Sequence, residues 1–194
     1  MAQSLAARAS AHDLDLVALS AAGDRDAFGE LVRRHGSSVR GLLRRMGADP
    51  ALADDLAQDA FLAAFEQIAD FRGEGAFAGW VKRIAARLYV RRWRRESRRL
   101  LFDETAQDEP DRDLGDSGAI ARMDLDDALR ALSEVERVCV TLCYGAGLSH
   151  GEAAVVLNAP LGTVKSHVKR GLDKLKGRLA ASPPTSGLEH KHHG

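Results

Sequence analysis

The sequence predicts an all-α protein: two small helical domains joined by a flexible acidic linker, the second a helix-turn-helix domain. Three observations carry that expectation. Ala, Leu, Arg and Asp dominate the 194 residues, aromatics reach only 5%, and long Val/Ile/Thr-rich runs are missing, a composition that favours helix over strand. Apolar residues recur at three- and four-residue steps, the period of a helix with one buried face. The formal net charge of zero conceals strong segregation. Lys82 to Arg99 holds nine Lys/Arg against Glu96, Asp103 to Asp127 holds ten acids against Arg112 and Arg122, and Thr163 to Arg178 holds six basic residues against Asp173. Two basic segments separated by an acidic one suggest two polyanion-contacting surfaces on either side of a solvated tether.

Residues 1–12 are small and polar and are read as a frayed end. Residues 13–100 form the first domain. A short helix starts at Asp13, with Leu14, Val17 and Leu19 apolar, and stops at Gly23. Asp24 is the N-cap of a second helix reaching Met46, whose Phe28, Leu31, Val32, Val39, Leu42 and Leu43 fall largely on one face. Asp49-Pro50 pairs a cap with a proline at the first helical position. The helix it opens runs to about Ile68, with Leu52, Leu56, Phe61, Leu62 and Phe65 on its apolar side. After a loop at Asp70–Gly75, a long helix places Phe77, Trp80, Val81, Ile84 and Leu88 in one stripe, while Tyr89 and Trp93 share another face among arginines. Those two rings either stack on an unpaired base or pack on a neighbouring helix.

Residues 101–123 lack periodicity and are read as the linker. Residues 124–181 form the second domain. Leu125, Leu129 and Leu132 mark a short helix. Ser133-Glu134-Val135-Glu136 and Ser149-His150-Gly151-Glu152 are capping boxes, each opening a helix. Asn158-Ala159-Pro160 makes the turn before the last helix, whose Val164, Val168, Leu172, Leu175 and Leu179 form a single apolar stripe. A short helix, a tight turn and an amphipathic helix with a polar, basic outer face make a helix-turn-helix. On it, Lys165, Lys169 and Arg170 are placed to neutralise phosphates, and Thr163 and Ser166 to reach base edges. Residues 182–194 form a flexible tail containing histidines, left out of the fold.

The turn Asp55-Leu56-Ala57-Gln58-Asp59 would repel phosphates. It fits a basic protein partner or, more plainly, a solvated face. Cys139 and Cys143, four apart on a helix beside Val138 and Leu142, read as buried thiols. No basic-then-apolar leader is seen at the N-terminus, and no apolar run approaches the roughly 18 residues that span a bilayer. A reducing, cytoplasmic setting without membrane insertion follows as the expectation. The sequence shows no phosphate-cradling glycine loop, no Ser/His/Asp set and no two-metal carboxylate pattern. No enzyme activity, metal or cofactor is therefore expected.

Three motifs in order resemble the extracytoplasmic-function sigma factors of bacterial RNA polymerase, over about Asp13 to Leu179. Asp55-Leu56-Ala57-Gln58-Asp59-Ala60-Phe61 is similar to the family's core-binding motif. Phe71-Arg72-Gly73-Glu74, followed by Phe77, Trp80 and Arg83-Ile84-Ala85, is similar to its promoter-melting segment. Leu148-Ser149, Glu152 and Pro160-Leu161-Gly162-Thr163-Val164-Lys165-Ser166 resemble its second-domain helix-turn-helix. The resemblance implies that Asp55, Gln58 and Asp59 bind the β′ subunit of core polymerase, with the β subunit as further partner. It implies that Phe71, Arg72, Arg83, Arg87, Tyr89 and Arg91 serve the −10 element of promoter DNA, around a flipped-out base. It implies that Thr163, Lys165, Ser166, His167, Lys169 and Arg170 serve the −35 element. It also implies an anti-sigma protein as inhibitor and a monomer when free. The chain departs from the family pattern at Ala86-Arg87-Leu88, where Arg-Asn-Leu is common, at Arg91 for Asp, at Ser133 for Pro and at His167 for Arg. Two other readings of the same residues are a stand-alone helix-turn-helix regulator and a degenerate sigma-like adaptor.

Overall fold

The computed structural model describes residues 10–73, 75–96 and 120–181. Among these, all regular structure is helical. Helices α1 (Asp13–Ala21), α2 (Arg25–Met46), α3 (Pro50–Glu66) and α4 (Phe77–Glu96) make the first unit, with a 3-10 turn at Ile68–Asp70. Helices α5 (Ile120–Arg130), α6 (Glu134–Val140), α7 (His150–Leu157) and α8 (Leu161–Ala181) make the second. A π-helical turn, Thr141–Gly145, continues α6.

The expected caps do the starting and stopping. Asp24 accepts from the amides of Asp26 and Ala27, at 3.0 and 3.1 Å. Asp49 accepts from Leu52 N at 2.9 Å, with Pro50 opening the helix. Gly47 ends α2 at φ +115°, a backbone state that a side chain resists. Both capping boxes are closed, Ser133 with Glu136 and Ser149 with Glu152. Each side chain satisfies an amide that the first helical turn would otherwise leave unpaired.

In the first unit, α2 packs on α1, α3 and α4, and α3 packs on α4. An aromatic cluster sits at their meeting point: Phe28 is edge-on to Phe61, Phe65 and Phe77. In the second unit α8 lies along α6 so closely that a Cβ on Gly171 would fall 2.7 Å from Val140 Cγ2.

The two units are docked, and one hydrophobic core runs through both, from Leu16 and Phe28 to Val138, Leu142, Val164 and Val168. A Cβ on Gly145 would lie 2.7 Å from Leu42 Cδ1, so the π-turn rests closely on α2 and a side chain here would push the leucine aside. At Gly47 a Cβ would meet the Arg137 guanidinium at 2.6 Å. Polar bonds between described residues also tie the seam. Trp93 Nε1 donates to Glu134 Oε1 at 2.5 Å, Arg45 Nε to Asp126 Oδ1 at 2.8 Å, and Arg83 Nη2 to the Gly147 carbonyl at 3.0 Å.

This docking corrects the stripe expected on α4. Phe77 and Val81 are buried, but Trp80, Ile84 and Leu88 are only half-buried, while Ala85, Ala86, Tyr89, Val90 and Trp93 are buried as well. The helix is covered on two sides. Leu62, assigned above to the apolar side of α3, is 63% exposed, and Leu14, Leu19 and Leu179 also face outward. Residues 120–123, read above as linker, belong to α5. The remainder of that linker, 101–119, lies outside the described residues, as do residues 1–9 and the tail from 182.

Candidate nucleic-acid and protein interfaces

Three surfaces present the residues singled out by the sequence. On α3 the motif splits by helical geometry. Leu56, Ala57, Ala60 and Phe61 are buried, while Asp55, Gln58 and Asp59 are exposed. Exposed Leu62 and Glu66 continue the same row, at the seven- and eleven-residue steps from Asp55 that keep residues on one helix face. Leu62 was missed as part of this face, although its spacing from Asp55 and Gln58 gave the signal. Asp54 beside the row reaches Arg40 at 3.5 Å. An acidic ledge with an apolar centre suits a basic, partly apolar protein surface.

The helix-turn-helix forms as expected. Ser149 Oγ takes the Glu152 amide at 3.2 Å, and Glu152 Oε2 takes the Ser149 amide at 2.8 Å. Those bonds, with Arg83 and Arg87 nearby, hold the Glu152 carboxyl below the ordinary range. Asn158 turns the chain at φ 51°, and α8 follows. Val164, Val168 and Leu175 anchor α8, and Lys165, Ser166, Lys169 and Arg170 are exposed, with Thr163 and His167 half-buried. His167 Nδ1 lies 3.0 Å from Arg170 Nη2. Glu136, 5% exposed, holds Lys174 Nζ at 2.7 Å and lies 3.7 Å from Arg170 Nε. This buried carboxylate fixes one edge of the basic surface while also closing its own capping box.

The third surface is on α4 and its preceding loop. Arg72, Arg83, Arg87 and Arg91 are exposed. Phe71 is half-buried, 5.9 Å from the Phe77 ring and 5.3 Å from Trp80. Tyr89 departs from its expected role: it is 5% exposed and donates its hydroxyl to Met46 O at 2.8 Å. In this arrangement it packs and offers no face to a base. Trp93 is likewise buried, which favours packing for both rings. Arg87, Arg91, Arg94 and Arg95, together with Val156 of α7, line an open cleft of about 420 Å³.

Cys139 is buried, and removal from water pushes its thiol up to about 12. Cys143 is half-buried and shifted in the same direction for the same reason. Among the described residues no three His, Cys, Asp or Glu side chains gather as metal ligands, and no helix is long and apolar enough to cross a membrane.

A basic recognition helix in a helix-turn-helix, behind a helical unit with one acidic and one arginine-rich face, defines a DNA-binding transcription factor. Comparison with known proteins makes the class specific. Residues 31–99 match sigma-70 region 2, and residues 122–175 match sigma-70 region 4. The chain is 33% identical to the RNA polymerase sigma factor NccH of Alcaligenes xylosoxydans xylosoxydans, over 88% of this chain and 96% of that one. It is 32% identical to the ECF RNA polymerase sigma factor SigE of Mycolicibacterium smegmatis, over 82% of this chain and 65% of that relative. The solved structure of CnrH in complex with the cytosolic domain of CnrY is similar, with a TM-score of 0.51 and 30% identity, over 88% of this chain and 99% of that one. The chain belongs to the sigma-70 family of RNA polymerase sigma factors, in its extracytoplasmic-function group.

Proposed function

We propose that the protein binds core RNA polymerase through the acidic ledge of α3 and directs it to promoters in the cytoplasm, without covalent chemistry of its own. Asp55, Gln58 and Asp59 contact the β′ subunit, with Leu62 among them. Arg72, Arg83, Arg87 and Arg91 follow the backbone of the −10 strand, and Phe71 borders the flipped base. The α8 face made by Thr163, Lys165, Ser166, His167, Lys169 and Arg170 reads the −35 element. Docking to the β subunit and restraint by an anti-sigma protein belong to the same reading; the similar CnrH was solved bound to CnrY. The observation that carries the proposal is the outward turn of Asp55, Gln58 and Asp59 on a helix whose other side is core.

Run-off transcription tests it. Core enzyme with this protein should give transcripts on genomic fragments that core enzyme alone does not transcribe. Tight duplex binding by the protein alone, with no effect of polymerase, would instead identify a stand-alone regulator.

A further inference from the structure

We infer that His167 is a positioning residue for −35 reading: its neutral imidazole holds the Arg170 guanidinium in place on α8, and a second proton on the ring lets it go. This rests on the reading of α8 as the −35 helix and adds which protonation state of that helix reads sequence.

Hydrogen-bonding chemistry carries it. His167 Nδ1 lies 3.0 Å from Arg170 Nη2. A guanidinium has N–H donors and no acceptor, so Nδ1 must accept and the ring proton sits on Nε2. An imidazolium carries N–H on both nitrogens and cannot make this bond. It would instead set two cations three residues apart on one helix, a destabilising pair. On its other side Arg170 Nε lies 3.7 Å from Oε1 of Glu136, a carboxylate only 5% exposed. The backbone beneath is fixed as well, because α8 meets α6 at Gly171 with no room for a Cβ beside Val140. The guanidinium is thus held at Nε and Nη2, and Nη1 has no partner among the described residues. A planar fork held in this way meets a phosphate or a guanine edge with less rotamer freedom left to lose.

The ionisable groups around the pair leave His167 as the titrating member. Arg170 is the one ionisable side chain three or four residues from His167 on α8. On α6, Glu136 is already shared with Lys174, and burial raises the Cys139 thiol to about 12. On α7, the Glu152 carboxylate is taken by the Ser149 amide, and His150 is half-buried at the start of its helix. On α5, Asp127 is paired with Arg130.

The test needs a duplex carrying the −35 sequence that this protein prefers. Repeated selection from a randomised −35 library, by the protein with core polymerase at pH 8, supplies it. The quantity read is the ratio of affinity for that duplex to affinity for a scrambled one, in which added phosphate attraction cancels. At pH 6 about a quarter of an unperturbed imidazole is neutral, and apparent affinity falls with the competent fraction. The ratio should therefore drop about fourfold from pH 8 to pH 6. His167→Ala should lose about fivefold or more of the ratio at pH 8, and the remainder should not depend on pH. His167→Asn puts a non-titrating amide oxygen where Nδ1 stood, and should keep the ratio at both pH values. After Arg170→Ala, removal of His167 as well should change the ratio by less than about twofold, because the two act as one.

A His167→Ala protein with the original ratio overturns the positioning role. So does a His167→Asn protein no better than His167→Ala, a full pH dependence surviving in His167→Asn, or losses that simply add in the double variant. Thermal melts at pH 8 check folding; if His167→Ala melts early, His167→Leu, which also lacks an acceptor, replaces it under the same criteria. Failure to enrich any duplex defeats the reading of α8 as a DNA helix and this role with it. A selected duplex indifferent to His167 defeats the role alone.

Discussion

The indole N–H of Trp93 on α4 is donated to Oε1 of Glu134, the first residue of α6, across the seam between the two units. Trp93 is 3% exposed, so the bond sits at the edge of a desolvated surface and uses a carboxylate as acceptor. Hydrogen bonds to charged groups contribute about 1.5–3 kcal/mol. Trp93→Phe keeps most of the apolar volume and removes the donor. It should lower unfolding stability by about 2 kcal/mol in urea melts, more than Glu134→Gln, which retains an acceptor oxygen. Equal losses for the two variants would show that packing, and not the bond, holds this corner.

The acidic ledge on α3 should separate binding from stability. Asp55, Gln58, Asp59 and Leu62 are exposed, and no core packing depends on them. Asp55→Arg presents like charge to a basic partner, which costs several kcal/mol when closely juxtaposed. Affinity for core polymerase should fall at least about tenfold while the melting temperature stays within a degree or two. Leu62→Ala should weaken the same complex by about 1–2 kcal/mol, the value of burying that side chain in a partner. Fluorescence anisotropy against core enzyme measures both, and an unchanged Leu62→Ala affinity would remove this leucine from the interface.

Much of this architecture is written locally in the chain. Asp24, Asp49, Ser133 and Ser149 announce the helix starts because a cap needs only a side chain and the next three amides. The outward turn of Gln58 and the inward turn of Val164 follow from 100° steps alone. The docking of the two units is not local. Periodicity shows that a face is apolar but not which element covers it. The second buried side of α4, formed by Tyr89 and Trp93 among arginines, therefore looked equally like a stacking platform. Leu62 was misplaced because residue type outweighed its angular position. The π-turn at Thr141–Gly145 left no sequence signal beyond the glycine that ends it.

Lys165 on α8 is exposed and has no buried role. Its replacement by Ala should leave the fold intact and remove one phosphate contact. For duplex DNA carrying the −35 element, the slope of log affinity against log salt should become shallower by about one. Thr163→Ala, if that hydroxyl meets a base edge, should change sequence preference with little change in slope. Titrations at several salt concentrations separate the two effects. A Lys165→Ala protein with the original slope would displace α8 from the phosphate backbone.

Cys139 gives the fold an alkaline weakness. Its thiol is raised from 9.0 to about 12, chiefly by burial, with the charges of Cys143 and Glu136 acting in the same direction. The unfolded chain therefore loses this proton near pH 9 while the folded chain keeps it until about 12. Over that window the folded state binds more protons, so stability falls as pH rises. The contribution is nil below pH 8 and reaches roughly 3 kcal/mol of destabilisation at pH 11. Cys139→Ala removes the titrating group and adds only a small, pH-independent cavity cost. Between pH 8 and pH 11 its stability should decline less steeply than that of the unaltered protein, by an amount of that order. Iodoacetamide at pH 8 should label half-buried Cys143 before Cys139, which reacts on the timescale of unfolding. Parallel pH profiles for the two proteins would mean that the thiol ionises in place without loss of packing.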